Sequence, residues 1–515
     1  MFTTPEPSPP AGYGVPPNTP HALLNSLPEW SHAVAFAEGK ADFVRETTYP
    51  RFRIHPHIQQ LTDIIVKALG TGTQENCFLF PTRMLAEEFR DFIQLDFPSS
   101  SCVVHSVTHI ANPPPPHQVF AVVFSAERPK VMRYYTFSGG GISTRLAELC
   151  VLRSQPAGGD LKVSLGIPAA GHWYSDYYDR NPPLSCPSRA KEVIRNRFAG
   201  MRGSPEDVYL FASGMQAIYR AYNLLTVTIG LLYCCSYKFL ERPNSPGYQN
   251  PAIMALYTDF PGNPHLRSPD MVRLRALADR FNFAIVVDET VAGHLTTQLL
   301  PYCDVLVCSL SKIFSGMANV IGGAMMLNPA SRYYAEFKAY MNTNYEDSLF
   351  DSDALMLEMN SRELVQRTSI VNHNAEKLAD ALYARSAMGG FKGAVIQAVH
   401  FPKYRNTENF ERCRNLETEI TGYGGLLSVT FTSLEAAKTF YAALQCYKGS
   451  TLGTVFTLAI AFSAIAFPPD KMEWIEERGV EESLVRFSVG MEETSSILKC
   501  VLDALSVAEK EHVVS

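Results

Sequence analysis

Two short apolar runs near the middle of the chain set its architecture. Ala284-Ile-Val-Val ends on Asp288, and Val305-Leu-Val-Cys ends on Ser309-Leu310-Ser311-Lys312. Both are rich in β-branched residues and too short for helices, so they read as buried parallel strands. Elsewhere apolar positions recur with helical or alternating spacing. They predict helices over residues 85–95, 188–198, 271–278, 332–340 and 363–384, and strands over 118–125, 208–211, 426–431 and 485–489. The helix ahead of the Asp288 strand completes a βαβ rhythm, which marks an α/β domain. Beyond about residue 330, long helical patterns give way to strands, predicting a smaller α+β domain. There is no internal repeat.

Length and composition divide the chain further. With 515 residues it can hold two or three domains and a large core. Residues 1–20 are Pro-rich with few large apolar side chains and read as a disordered tail. An N-terminal accessory region follows over 21–170, then a large α/β domain over 171–330 and the α+β domain over 331–515. A net charge of −6 leaves no basic footprint for nucleic acid. The eleven cysteines are scattered without a CxxC pair, which suits a reducing compartment. The longest apolar runs, 224–235 and 458–467, are too short to span a bilayer, and no signal or transit pattern precedes the fold. A cytoplasmic protein without membrane contact is expected. Pro113–Pro116 could dock an SH3 or WW module, but a stiff surface loop is the simpler reading. Gly139-Gly-Gly141 lacks a nucleotide-binding pattern, and the histidines show no metal-ligand spacing, so loop and packing roles are expected.

Chemistry in open parallel sheets gathers at the carboxyl ends of strands, where Asp288 and Lys312 fall. A lysine for a Schiff base, a carboxylate for a pyridinium nitrogen and hydroxyls for phosphate oxygens are what pyridoxal phosphate requires. Ser213-Gly214-Met215 lies between a strand and a helix, where free N–H groups and the helix dipole favour phosphate. Tyr178-Asp179-Arg180 offers a hydroxyl and a guanidinium to the same group. Asp259-Phe-Pro-Gly-Asn263-Pro264 follows an apolar strand, and Arg486 sits on a late strand where it could hold a substrate carboxylate.

With these pieces in order, the chain resembles the Cys/Met-metabolism family of pyridoxal-phosphate enzymes, most of all its fungal cystathionine γ-synthase branch. The resemblance runs from about 171 to 510 and is most specific over Ser309–Gly323; it includes Gly422-Tyr-Gly-Gly425 and Arg486-Phe-Ser-Val-Gly490. The N-terminal region resembles extensions of the fungal branch. The resemblance implies a fold-type-I, aspartate-aminotransferase-like large domain. It also implies that Lys312 carries the cofactor and Asp288 faces its ring nitrogen. Ser213, Gly214, Met215, Ser309 and Ser311 would hold the phosphate, and Tyr233 would stack on the ring and act in catalysis. Tyr178 and Arg180 would reach a neighbouring subunit's phosphate, so a homodimer or homotetramer with shared sites is expected. Tyr49-Pro50-Arg51 has the same three-residue form but lies too far upstream for the family spacing, and ranks second. Arg486, Thr451 and Asn263 would bind the carboxylate of an amino-acid substrate.

The implied reaction is γ-replacement on an O-acylated homoserine, with cysteine giving cystathionine in methionine biosynthesis. A specialised γ-synthase with another nucleophile, or a γ-lyase, would share every motif. One departure stands out. The family carries a further strand and helix after the stacking tyrosine, whereas here Gly247 runs almost directly into the apolar residues 252–257. The large domain thus reads as shortened near 226–255, which leaves an inactive or partner-dependent paralogue as a third alternative. Thr451 also stands where serine is usual, and Glu289 where asparagine is frequent.

Overall fold

The computed structural model describes residues 4–17, 19–44, 49–70, 75–107, 118–154, 178, 182–229, 254–467, 471–477 and 479–512. Three sheets organise them. In the accessory region, β1 (Asn76–Phe80), β2 (Cys102–Ser106) and β3 (Phe120–Phe124) form an antiparallel sheet in the order β1-β3-β2. Strand β3 is buried along its whole length because helices cover both faces. Ala121 and Val123 pack with Leu61 and Leu146, while Val122 and Phe124 pack with Phe89 and Val131, as a period of two requires.

The central sheet comprises β4 (Val208–Phe211), β5 (Ala255–Asp259), β6 (Ala284–Asp288), β7 (Val305–Ser309) and β8 (Gly323–Leu327), in the order β4-β8-β7-β6-β5. Strands β5, β6 and β7 are parallel as expected, and helix Met271–Phe281 makes the crossover between the first two. Strand β8 runs antiparallel to both its neighbours, so the sheet is mixed. Ile285 and Leu306 join one core, while Val286 and Val305 join the core on the opposite face. This two-sided burial explains the unbroken apolar runs in the sequence.

The C-terminal domain holds β9 (Ile396–His400), β10 (Leu426–Phe431), β11 (Tyr447–Lys448), β12 (Leu458–Ala461) and β13 (Leu484–Ser488), in the order β11-β12-β13-β10-β9. Helices Leu364–Ala384, Leu434–Ala443 and Thr494–Glu511 contribute to its core. Strand β13 brings Arg486 back towards the central sheet.

The N-terminal regions are bound tightly to this frame. Composition predicts a tail without fixed structure at 1–20, but residues 4–17 are held in place. Gly12 donates to the Ser26 carbonyl, Val15 pairs with Leu24, and Val15 is fully buried in the central core. Backbone pairing supplies here what apolar side chains do not. The accessory sheet is tied in by Arg145, whose Nη1 lies 2.9 Å from Asp353 Oδ1 and whose Nη2 donates to the Asn319 carbonyl at 2.6 Å. Both charged side chains are 1% exposed, and removing one partner of such a pair typically costs about 3–5 kcal/mol. Among the described residues no helix is long and apolar enough to cross a membrane.

Candidate active site

Lys312 follows β7 in a five-residue π-type turn, Leu310–Phe314, where its own backbone departs from helical angles (φ −96°, ψ −121°). Such wide turns cluster at functional positions. The turn is possible because Gly453 lies against it with φ +74°: a Cβ there would meet Ile313 N at 2.4 Å. Lys312 Nζ donates to Thr451 Oγ1 at 2.8 Å. Burial, then the positive charges of Arg486 and Arg51, pull the lysine down to about 7. A large share of it is therefore free amine, the nucleophilic form, near neutral pH.

Asp288 ends β6, one strand away. Its Oδ1 accepts from Thr290 N at 2.9 Å. Burial pushes its carboxyl up to about 6; the Thr290 hydrogen bonds oppose the rise, while Asp259 and Glu289 add to it. The next residue, Glu289, is fully buried and takes a 2.6 Å bond from Arg202 Nη1. That guanidinium allows a glutamate where asparagine was the expected residue. Thr290 also fixes the neighbouring strand, since its Oγ1 accepts from Ser309 N at 2.8 Å.

Ser213, Gly214 and Ser309 meet where β4 turns into helix Gly214–Ile229. A Cβ on Gly214 would lie 2.6 Å from the Ser309 Cβ, so only glycine allows the helix start to approach β7 this closely. Ser213 Oγ donates to the Gly139 carbonyl at 2.8 Å and accepts from Gln216 N at 3.1 Å. Ser309 Oγ is buried without a partner among the described residues. Ser311 turns away: its Oγ accepts from Gly322 N at 3.0 Å and bonds the Gly322 carbonyl.

Arg486 closes the site from β13. It is 3% exposed, donating through Nη1 to Asn263 Oδ1 at 3.1 Å and through Nη2 to the Thr451 carbonyl at 2.9 Å. Among the described residues no carboxylate pairs with it, and burial lowers it to about 10. Asn263 is placed by its own N–H, which donates to Asp259 Oδ2 at 3.0 Å.

Most of the expected residues therefore converge. Tyr178 stands apart: it is buried, donates to Asn360 Oδ1 at 2.8 Å and accepts from Asn319 Nδ2 at 3.2 Å. Arg180 and Tyr233 lie outside the described residues. Two features of the fold were not legible in the sequence. The Tyr49 ring lies 4.9 Å from Lys312 Nζ. Separately, His265, His400 and Glu481 bring ligand atoms within 4.8 Å of one another, from positions too scattered to form a motif.

The residues present fit pyridoxal phosphate. A free amine, a carboxylate at the neighbouring strand end, an unpartnered hydroxyl beside a helix start and a carboxylate-free arginine match, in turn, the aldehyde, ring nitrogen and phosphate of that cofactor and the carboxylate of an amino acid.

Comparison with known proteins points the same way. The family described as "Cys/Met metabolism PLP-dependent enzyme" matches residues 245–506, and that described as "Fungal trans-sulfuration enzyme, N-terminal domain" matches 57–143. The cystathionine gamma-synthase-like enzyme iboG1 of Amanita muscaria is 37% identical, across 97% of this chain and 98% of its own. A cystathionine gamma-synthase of Neurospora crassa is 31% identical, across 97% of this chain and 98% of its own. The first alignment runs over 596 positions against a chain of 515 residues, so the relative carries residues that this chain lacks. Among solved structures, cystathionine gamma synthase from Xanthomonas oryzae pv. oryzae, in complex with aminoacrylate and cysteine, superposes with a TM-score of 0.50 at 20% identity. It covers 62% of this chain and 86% of that one. The fold is that of the fold-type-I enzymes.

Proposed function

The chain belongs to the Cys/Met-metabolism family of pyridoxal-phosphate-dependent trans-sulfuration enzymes, and on that premise we propose that it catalyses γ-replacement on an O-acylated homoserine, with cysteine as nucleophile and cystathionine as product. In this reading it serves methionine biosynthesis in the cytoplasm as a homodimer or homotetramer.

The observation that carries the reading is Arg486, a buried guanidinium with no carboxylate among the described residues, next to Thr451 and the Lys312 amine it orients. Arginine binds carboxylates through two parallel hydrogen bonds, which would fix the α-carboxylate of an amino acid beside Lys312. Pyridoxal phosphate, when bound, supplies an electron sink that makes the protons on the neighbouring carbon acidic. Lys312, already near 7, would take such a proton and return it, with Thr451 Oγ1 holding the amine in place. Asp288, ionised above about 6, would sit against the ring nitrogen. Ser309 Oγ and the N–H groups of Gly214 and Met215 would hold the phosphate.

Purified protein incubated with pyridoxal phosphate, O-acetyl- or O-succinylhomoserine and cysteine should release cystathionine, identified by mass. A protein that has bound the cofactor on Lys312 yet makes no cystathionine from either ester would overturn this assignment. A second reading, in which another nucleophile replaces cysteine, draws on the identities: 37% to a relative named cystathionine gamma-synthase-like, against 31% to one named cystathionine gamma-synthase. Offering other thiols, amines and carbon acids in the same assay separates the two by product mass.

A further inference from the structure

Three strands of the C-terminal sheet hold three successive residues of the loop that follows β5. Arg486 on β13, Ser428 on β10 and His400 on β9 stand in one cross-strand row, since Ser428 pairs with both of the others. Residues paired in this way share a face of the sheet. Arg486 Nη1 donates to Asn263 Oδ1 at 3.1 Å, and Ser428 Oγ donates to the Pro264 carbonyl at 2.8 Å. His400 meets the next residue, His265, ring to ring, with 4.6 Å between centroids and 62° between planes.

That third contact leaves a polar atom over. His400 is 2% exposed; its Nε2 lies 3.4 Å from Thr430 Oγ1, and its Nδ1 is buried without a partner among the described residues. With the Nε2 proton directed at Thr430, Nδ1 presents a lone pair. A hydrogen bond at the far ring nitrogen is how proteins commonly fix a metal-binding histidine. A buried acceptor left unsatisfied is costly, so the position calls for a ligand. His265 Nε2 lies 3.1 Å from Glu481 Oε2, although the two are 216 residues apart. One ligand atom from each of His265, His400 and Glu481 lies within 4.8 Å of the other two. Ligands about 2.0–2.1 Å from a tetrahedral zinc are about 3.4 Å apart, so the His265–Glu481 spacing already fits and side-chain rotation would close the rest.

The ligand set selects the metal. Two imidazoles and one carboxylate suit zinc and its neighbours in the transition series, whereas calcium and magnesium take oxygen ligands. Arg267 and Arg405 add positive charge near His400, which further disfavours an ion held by charge alone. We propose that His265, His400 and Glu481 bind one zinc-class divalent ion, with a position left for water. The ion fastens the loop after β5 to the C-terminal sheet, beside the contact between Asn263 and Arg486. The site adjoins the pocket for the substrate carboxylate but shares no residue with it, and it does not depend on the reaction proposed above.

The test is metal binding by the purified full-length protein without added substrate. After equilibrium dialysis against buffered Zn²⁺, wild type should retain one ion per chain that Glu481→Gln and His265→Gln lose. Their affinity should fall at least about 100-fold, since changes behind a metal ligand already cost about 10- to 100-fold. The Glu481 side chain is 49% exposed, so Glu481→Gln leaves the core untouched and separates loss of the ion from loss of the fold. Co²⁺ in place of zinc should give visible d–d bands without a near-ultraviolet thiolate band. Bound Zn²⁺ should also raise the unfolding temperature of wild type and not of Glu481→Gln, as an ion held by the folded state must. No retained ion, or equal retention by all three proteins, would leave His265 and Glu481 a plain hydrogen-bonded pair and overturn the proposal. A thiolate band that survives Glu481→Gln would place the metal on cysteines, with the same consequence. One ion retained per chain without a rise in unfolding temperature would refute the fastening role.

Discussion

Strands β5, β6 and β7 lie parallel in one sheet, yet they experience different surroundings. The first four residues of β6 and of β7 are buried, whereas no residue of β5 is, and Tyr257 on β5 is 40% exposed. Both faces of β6 and β7 are covered, which holds Asp288 and the Lys312 turn against movement. Strand β5 ends the sheet among the described residues, and its free side would accept another strand. The comparison separates what catalysis demands from what the chain is missing. The rigid centre bears the chemistry, while the edge lies next to the stretch read as shortened.

The largest expected effect lies at the centre. Lys312→Ala should abolish borohydride-trapped pyridoxyl label on this peptide and lower turnover by at least about 10⁴-fold. Turnover within tenfold of wild type would move the cofactor lysine elsewhere. Asp288→Asn should follow, with the cofactor still bound and turnover down about 10²–10³-fold, since a preorganised charge is lost without a change of shape. Unchanged kcat would mean that Asp288 does not face the ring.

Stability measurements compare the two strands directly. Ile285→Ala in β6 should cost about 2–5 kcal/mol in denaturant unfolding, whereas Tyr257→Ala in β5 should stay within about 0.5 kcal/mol. A Tyr257 penalty as large as that of Ile285 would show that β5 is covered in solution. The transcript should then contain extra coding sequence near residues 247–252, enough for a strand beside β5.

The smallest effect is one of pH. Lys312 is lowered to about 7 and Asp288 raised to about 6, so the free amine and the carboxylate both grow as pH rises through this interval. Capture of pyridoxal phosphate by the apoprotein should therefore rise between about pH 5.5 and 8 and then level off. A rate still climbing at about pH 10 would mean that Lys312 titrates as an ordinary exposed lysine.

How much of this was legible in the sequence follows from how local each signal is. Strands β4 and β10 fall within the limits that their apolar runs predict, because turn residues bound them on both sides. Asp288 and Lys312 announced themselves by ending such runs. The direction of β8 was not legible, since its run Gly323-Ala-Met-Met-Leu carries no mark of which way it pairs. Nor was the orientation of Ser311: its place beside the lysine suggests a phosphate ligand, but the Gly322 backbone engages its hydroxyl. Tyr49 ranks only second on spacing along the chain, a rule that cannot register its contact with Lys312, which is made by folding. The partner of Glu289 was invisible for the same reason, with Arg202 lying 87 residues away.

The ion pair between Arg145 and Asp353 bears on how such a protein can be divided. The matched N-terminal family ends at residue 143, two positions short of Arg145. Sequence kinship therefore draws a border just before the side chain that crosses into the neighbouring domain. A gene cut at that border would leave Arg145 with Asp353 in one half and strip the accessory sheet in the other half of the guanidinium that anchors it. What looks in the sequence like two transferable parts is one object for translation, turnover and engineering, and the accessory region can be exchanged between relatives only together with the helix that carries its guanidinium.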